Sequence, residues 1–354
     1  MSSPEPEPYV VEDCRGVLQL LSDGTVRRSA AEEPAFPVHV RDGDDECGVE
    51  WKDVIYDPRH GLTARLYRPA PRLAGGVGGG AAAGARLPVV AYFHGGGFCI
   101  GSCRWRVFHA WCLRIAASLP AVVASFDYRL APEHRIPAAQ EDGAAAVAWL
   151  LPGGGAADDP WLAAVADLSR VFLAGDSAGG NIAHHAAIAS GSGQSTVRGC
   201  VLLMPAMAGE ARTPSELECP PDAFLSTELA NRYLRLALPD GATRDHPAIN
   251  PVGPEAPALD AAAMPPVLVV AAGRDILRDR NAQYVRRMKE WGKEVEYAEI
   301  GGEQHVLFLL DPWSESADEV LRLVRRIAAH LGHIFLGKNN KELDKVAHAI
   351  PQET

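Results

Sequence analysis

Several things this chain lacks narrow what it can be. None of its apolar runs reaches the roughly 18 residues of a membrane-spanning helix, so no transmembrane segment is expected. Basic residues are not in excess: 34 Lys and Arg stand against 45 Asp and Glu, a net charge of −11. Nucleic acid and anionic membranes both require a basic face, so neither is expected as a partner. The seven cysteines are odd in number, with no C-x-x-C pair and no His/Cys cluster at zinc spacing. Buried free thiols in a reducing compartment, cytoplasmic or nuclear, are the expectation. The N-terminal MSSPEPEPYVVEDC carries prolines and acids where a secretory leader needs basic residues and then an apolar stretch, so no leader is expected.

What is present is enough for a large core. Of 354 residues, 47% are hydrophobic and 22% charged, the balance of a water-soluble globular chain of one large domain or two. Residues 1–50 are rich in Pro, Glu and Asp yet contain the apolar VLQLL (17–21), which suggests an arm or partial lid packed on something else. From Trp51 the pattern changes. KDVIYD and LTARLYRP have the look of short antiparallel strands, and the Gly/Ala stretch at 72–86 that of a mobile surface connection.

After that stretch apolar strands and helical segments alternate. LPVVAYF (87–93), AVVASFDY (121–128), SRVFLAGDS (169–177), VRGCVLLMP (197–205), PPVLVVAAG (265–273) and EVEYAEIG (294–301) are expected strands. Helical spacing lies between them and in 316–331. Strands that are apolar throughout and alternate with helices predict a mostly parallel sheet of about eight strands, covered on both faces. The division expected is an arm over 1–50, an α/β domain over 51–335 with an insertion at 206–262, and a polar, disordered tail at 336–354.

Two glycine motifs carry the chemistry. VFLAGDSAGGN (171–181) is G-x-S-x-G between a strand and a helix, the setting of the nucleophile elbow in α/β-hydrolases. It makes Ser177 the candidate nucleophile. A serine hydroxyl needs an adjacent base and a third group to orient that base, and in this fold they follow in the order Ser, acid, His. Asp275 lies two residues past the strand PPVLVVAAG, and His305 four residues past EVEYAEIG. Asp279 competes for the acid role, although an acid at a helix N-terminus also suits the helix dipole; Asp275 is preferred. Glu303 is expected to be a loop residue. The second motif is HGGGF after LPVVAYF, in which backbone N–H groups of Gly95, Gly96 and Gly97, with that of Ala178, would hold an oxyanion. Which two of the three glycines donate is left open by the spacing. His184 and His185 are adjacent on a helix, cannot share a face as metal ligands, and are expected to be structural. Asp176, Glu133 and His134 are expected to hold loops, and Cys99 and Cys103 to line the pocket. No metal or organic cofactor is implied.

HGGGF, SFDYRLAPEHRIPAA (125–139), GDSAGGN and the later Asp and His together resemble the hormone-sensitive-lipase-like branch of the α/β-hydrolases, and within it the plant carboxylesterases, over roughly residues 10–333. VEDCRGVLQLLSDGTVRRS, GATRDHPAINP and GRDILRDR are most similar to members that hydrolyse strigolactones. The resemblance implies a serine esterase acting on a hydrophobic ester or lactone. The same group contains gibberellin receptors, which lack the catalytic histidine and carry serine at the last oxyanion glycine; this chain has His305 and Gly97. It also contains dehydratases that use the same pocket.

Overall fold

The computed structural model describes residues 7–29, 48–70, 86–191 and 197–330. The expected tail at 336–354 and nearly all of the Gly/Ala stretch lie outside the described residues, as does most of the second half of the arm.

Among the described residues the strands form two sheets. In chain order, a small antiparallel sheet comprises β1 (Val10–Cys14), β2 (Leu18–Leu21) and β3 (Val26–Arg28). The main chain then enters β4 (Val49–Asp57), β5 (Leu62–Pro69), β6 (Leu87–Phe93), α1 (Arg106–Ser118), β7 (Val122–Phe126), α2 (Ala138–Leu150), α3 (Pro160–Val165) and β8 (Ala166–Asp176). It continues through α4 (Ala178–Ser190), β9 (Val197–Leu203), α5 (Pro214–Leu217), α6 (Thr227–Ala237), β10 (Val267–Ala272), α7 (Arg278–Glu290), β11 (Val295–Ile300) and α8 (Glu315–His330).

Eight strands form the main sheet in the order β11-β10-β9-β8-β6-β7-β5-β4. From β11 to β7 every pairing is parallel; β5 joins β7, and β4 joins β5, in antiparallel register. All eight main-sheet strands fall on strands expected from the sequence, six of them on the apolar runs. Their periodicity explains this: β7 and β10 are buried at every position, because helices cover both faces and leave no polar side. On one face α1 and α8 meet, with Arg114 bonded to Asp318, and Trp111 of α1 lies edge-on to Phe308 in the turn before α8, 4.8 Å between centroids. On the other, α4 packs on α2 and on α7, where Tyr284 on α7 reaches the ring of His184 at 2.8 Å.

Within the arm, Leu18–Leu21 of VLQLL form β2. Leu18 and Leu21 on β2 turn into the core while Gln19 pairs with Asp13 on β1, so the segment is the middle of a three-stranded sheet. The sheet rests on α6 of the 206–262 segment, held by Glu12 to Arg235 (2.5 Å) and to Arg232 (3.1 Å).

Burial decides which leucines matter. Leu202 on β9 has no exposed surface, whereas Leu217 is 73% exposed. Leu202→Ala is expected to cost about 2–5 kcal/mol of unfolding free energy, through lost transfer energy and the cavity left behind. Leu217→Ala should stay within about 0.5 kcal/mol. Urea midpoints at constant m-value would check both.

Candidate active site

The candidate residues lie on the loops that leave the C-terminal ends of four parallel strands, where open α/β sheets form their crevice. Ser177 follows β8, the HGGG loop follows β6, Asp275 follows β10 and His305 follows β11. Ser177 has φ 51° and ψ −117°, a left-handed conformation that a non-glycine residue adopts only when its surroundings enforce it. The enforcement is visible. Ser177 N–H donates to Leu203 O on β9 at 2.9 Å, and Ser177 O accepts from Ala206 N–H at 2.8 Å. A Cβ on Gly179 would overlap the carbonyl of Phe93 at the end of β6, and one on Gly175 would overlap Gly179. The two glycines of the motif are therefore what let α4 start flush against β6 and β8.

That turn presents the serine to the histidine. Ser177 Oγ lies 2.9 Å from His305 Nε2, and His305 Nδ1 lies 2.7 Å from Asp275 Oδ2. Asp275 is held in turn by Leu277 N–H, which donates to its Oδ1 at 2.9 Å. All three residues are buried. Asp279 is engaged elsewhere: it accepts from Ser215 N–H at 2.8 Å and pairs with Arg278 at 3.1 Å, joining α7 to α5. Glu303 accepts from the neighbouring Gln304 N–H and does not reach His305 Nδ1, whose partner is Asp275.

The glycine loop needs one correction. Gly95 N–H donates to Asp176 Oδ1 at 3.1 Å and so is not aimed at a substrate oxygen. Gly96 and Gly97 line the cavity, and Gly95 does not. Ala178 is the first residue of α4, where an N–H has no partner within the helix and the dipole favours negative charge. Gly96 and Gly97 thus remain the candidate donors from this loop, and Ala178, next to Ser177 in the chain, the candidate from α4. Gly97 has φ 62°, and a Cβ there would overlap the ring of Tyr233 on α6.

Behind the loop lies a layer that sequence reasoning assigned only in part. Asp176 accepts from Tyr92 O–H at 2.6 Å as well as from Gly95. Burial pushes its carboxyl up to about 6, against the opposing pull of Tyr92, His305 and Gly95. Tyr128 stacks on His94, 4.4 Å between centroids, and its hydroxyl donates to His94 O at 2.8 Å. His94 Nδ1 donates to Gly95 O at 2.8 Å, and burial lowers its pKa. Glu133 pairs with Arg28, while His184 and His185 bond to Tyr284 and Ala248 O, structural roles as expected. Cys99 and Cys103 do not line the pocket. Both are fully buried behind the loop, where burial raises their thiols, so they pack rather than face a ligand.

The cavity above Ser177 is walled mainly by apolar groups: Phe98 and Trp105 from the glycine loop, Met207, Phe224 and Leu234 from the 206–262 segment, and Leu309. Arg15, at the tip of the β1–β2 turn, joins this wall; its guanidinium lies over the Phe224 ring at 4.3 Å and donates to Phe224 O at 2.6 Å. Nothing in the sequence singled out Arg15 or Phe224, because their meeting spans 209 residues. Among the described residues no group of three or more His, Cys, Asp or Glu could hold a metal ion, and no helix is long and apolar enough to cross a membrane.

Comparison with known proteins agrees with this geometry. A family model described as the alpha/beta hydrolase fold matches residues 90–309. The chain is 35% identical over 306 residues to probable carboxylesterase 6 of Arabidopsis thaliana, covering 84% of this chain and 85% of the relative. It is 36% identical to a gibberellin receptor of the same plant, covering 77% and 78%. It is 34% identical to the 2-hydroxyisoflavanone dehydratase of Glycyrrhiza echinata, covering 89% and 94%. Among solved structures, an esterase of Pyrobaculum calidifontis superposes with a TM-score of 0.64 at 31% identity, covering 80% of this chain and 84% of that one. These matches establish plant carboxylesterase relatives. They do not single out strigolactone-hydrolysing members.

Two outcomes are expected. Asp275→Asn should lower ester turnover roughly 10⁴-fold by disturbing the imidazole tautomer, and Asp279→Asn far less; steady-state kinetics on one ester ranks them. The second concerns Asp176. Its folded pKa is raised, so its contribution to stability is fully present below the ordinary carboxylate range and lost as pH rises through about 6. Melting curves across pH 3.5–7 should therefore show a smaller decline over this window for Asp176→Asn than for the unmodified protein.

Proposed function

This chain belongs to the α/β-hydrolase fold family, and from that premise we propose that it is a serine carboxylesterase acting on hydrophobic small-molecule esters or lactones. One observation carries the reading: a single imidazole bridges Ser177 and Asp275 at the floor of an apolar cavity. In this mechanism Ser177 Oγ attacks the ester carbonyl as His305 Nε2 takes its proton. Asp275 keeps the imidazole in the required tautomer and stabilises its cation. The oxyanion is held by the N–H groups of Gly96, Gly97 and Ala178. His305 then protonates the leaving alcohol and activates water, which releases the acid and restores Ser177.

The arm and the 206–262 segment act as a lid in this reading, because Arg15 from one and Phe224 and Tyr233 from the other face the same cavity. A mostly apolar pocket with few polar groups suits a ligand of drug-like size. Within that class we favour strigolactones, in which a butenolide ring is joined through an enol ether to a lactone-bearing core. The motifs shared with strigolactone-hydrolysing members support this choice. Retention of His305 and Gly97 favours turnover over a receptor that only binds.

An organophosphonate ester is expected to label Ser177 stoichiometrically, and Ser177→Ala to abolish labelling and most ester turnover. Mass spectrometry of products from a panel of esters, lactones and a strigolactone would separate the readings. Cleavage beyond one equivalent supports the hormone assignment, and cleavage of simple esters alone leaves only the esterase. Loss of water from a hydroxylated substrate would indicate a dehydratase, and binding without product a receptor.

A further inference from the structure

The loop that would carry the oxyanion is held from outside the hydrolase sheet. Gly96, Gly97 and Phe98 are consecutive residues at positive φ (117°, 62° and 64°). For Phe98 this conformation is strained and persists only if neighbouring groups over-determine it. Part of the restraint is internal, since Cys99 N–H and Ile100 N–H both donate to Gly96 O, at 3.1 and 3.0 Å. A second part links the loop to the strand-end segment after β7, through Ala131 N–H donating to Phe98 O at 2.8 Å.

The third part is Arg28, the last residue of β3 in the arm. Its Nη1 donates to Cys99 O at 2.8 Å and its Nη2 to Ala131 O at 2.9 Å. Its Nε and Nη2 also meet the two oxygens of Glu133, at 2.8 and 2.7 Å. The planar guanidinium thus spans the two backbone segments that Phe98 O and Ala131 N–H already join, and Glu133 fixes its plane. The ion pair is partly exposed, with 32% and 40% of its side chains accessible, so as a charge pair it contributes little. Its geometric effect is what matters: two carbonyls 32 residues apart are pinned by one rigid fork.

We propose that Arg28 is a positioning residue for the oxyanion loop, so that the N-terminal arm contributes to the chemical step and not only to covering the pocket. The inference rests on the esterase reading above. It distinguishes the two ends of the arm: Arg15 faces the ligand cavity, whereas Arg28 touches the back of the loop whose front faces the developing negative charge.

The test uses the full chain and p-nitrophenyl acetate. Arg28→Ala is expected to lower kcat about 10- to 100-fold with KM within about twofold, since a small displacement of a catalytic group has an effect of that size. Affinity for a trifluoromethyl ketone, whose serine adduct places an oxyanion in the hole, should fall by the same factor as kcat/KM. Affinity for the matching methyl ketone should not change. Arg28→Lys, which keeps the charge and one donor but cannot span both carbonyls, should lie between the two. An unchanged kcat in folded Arg28→Ala, or equal weakening of both ketones, would overturn the positioning role. If the alanine variant loses its cooperative melt, the lysine variant decides: kcat equal to that of the unmodified protein overturns the proposal. An unmodified protein that neither turns over p-nitrophenyl acetate nor is labelled at Ser177 would instead sink the esterase reading itself, and this inference with it.

Discussion

The left-handed turn at Ser177 is the constraint on which the site depends. A strand that ends at Asp176 and a helix that begins at Ala178 leave one residue to reverse direction, and that residue must present its side chain. The strain is tolerated because bare glycine backbone on both sides lets α4 approach β6 without collision. One turn therefore sets three things together. It points the hydroxyl at His305, starts α4 at the next residue, and brings the end of β6 close enough for its glycine loop to share the cavity with Ser177. A side chain at Gly179 would push the helix off the strand and disturb all three.

Burial shapes the electrostatics around that turn. Asp176 sits beside Ser177 almost wholly buried, and the hydrogen bonds from Tyr92 and Gly95 oppose the upward push of burial on its carboxyl. On the opposite wall, Glu216 is buried between Arg244 and Arg280, at 2.9 and 3.2 Å. Arg280 also donates to Gly209 O and Ala211 O, and Arg244 to Gly209 O. Buried ion pairs are weak sources of net stability, but breaking one strands a charge. Here the network ties the 206–262 segment to α7, which keeps the apolar wall of the cavity in place beside the loops of Ser177, Asp275 and His305.

The arm is joined to the rest by polar contacts rather than by continuity of a sheet. Glu12 meets Arg232 and Arg235 on α6, Arg15 stacks on Phe224, and Arg28 grips the carbonyls behind the glycine loop. The leucines of β2 turn inward and extend the core beneath it. Two segments far apart in the chain thus share one roof over the cavity, and the position of each depends on the other.

Strand and helix order were legible in the sequence, because a sheet covered on both faces needs strands that are apolar at every position, and such runs are visible without knowing their neighbours. So was the elbow, where local sterics demand glycine at fixed offsets from a serine. Asp275 and His305 could be named from their place after strands, although the exclusion of Asp279 required seeing its carboxylate engaged by Ser215 and Arg278. Other features had no local signature. That Gly95 spends its N–H on Asp176, that Cys99 and Cys103 lie behind the loop, and that VLQLL forms a strand all depend on what faces those residues from elsewhere. Periodicity and turn chemistry are properties of a few consecutive residues, so the sequence by itself determined the order of the elements and the choice of Ser177 as candidate nucleophile. Only the tertiary structure decided which glycines line the cavity and which arginines wall it or pack behind its loop, because those depend on contacts between residues up to some two hundred positions apart.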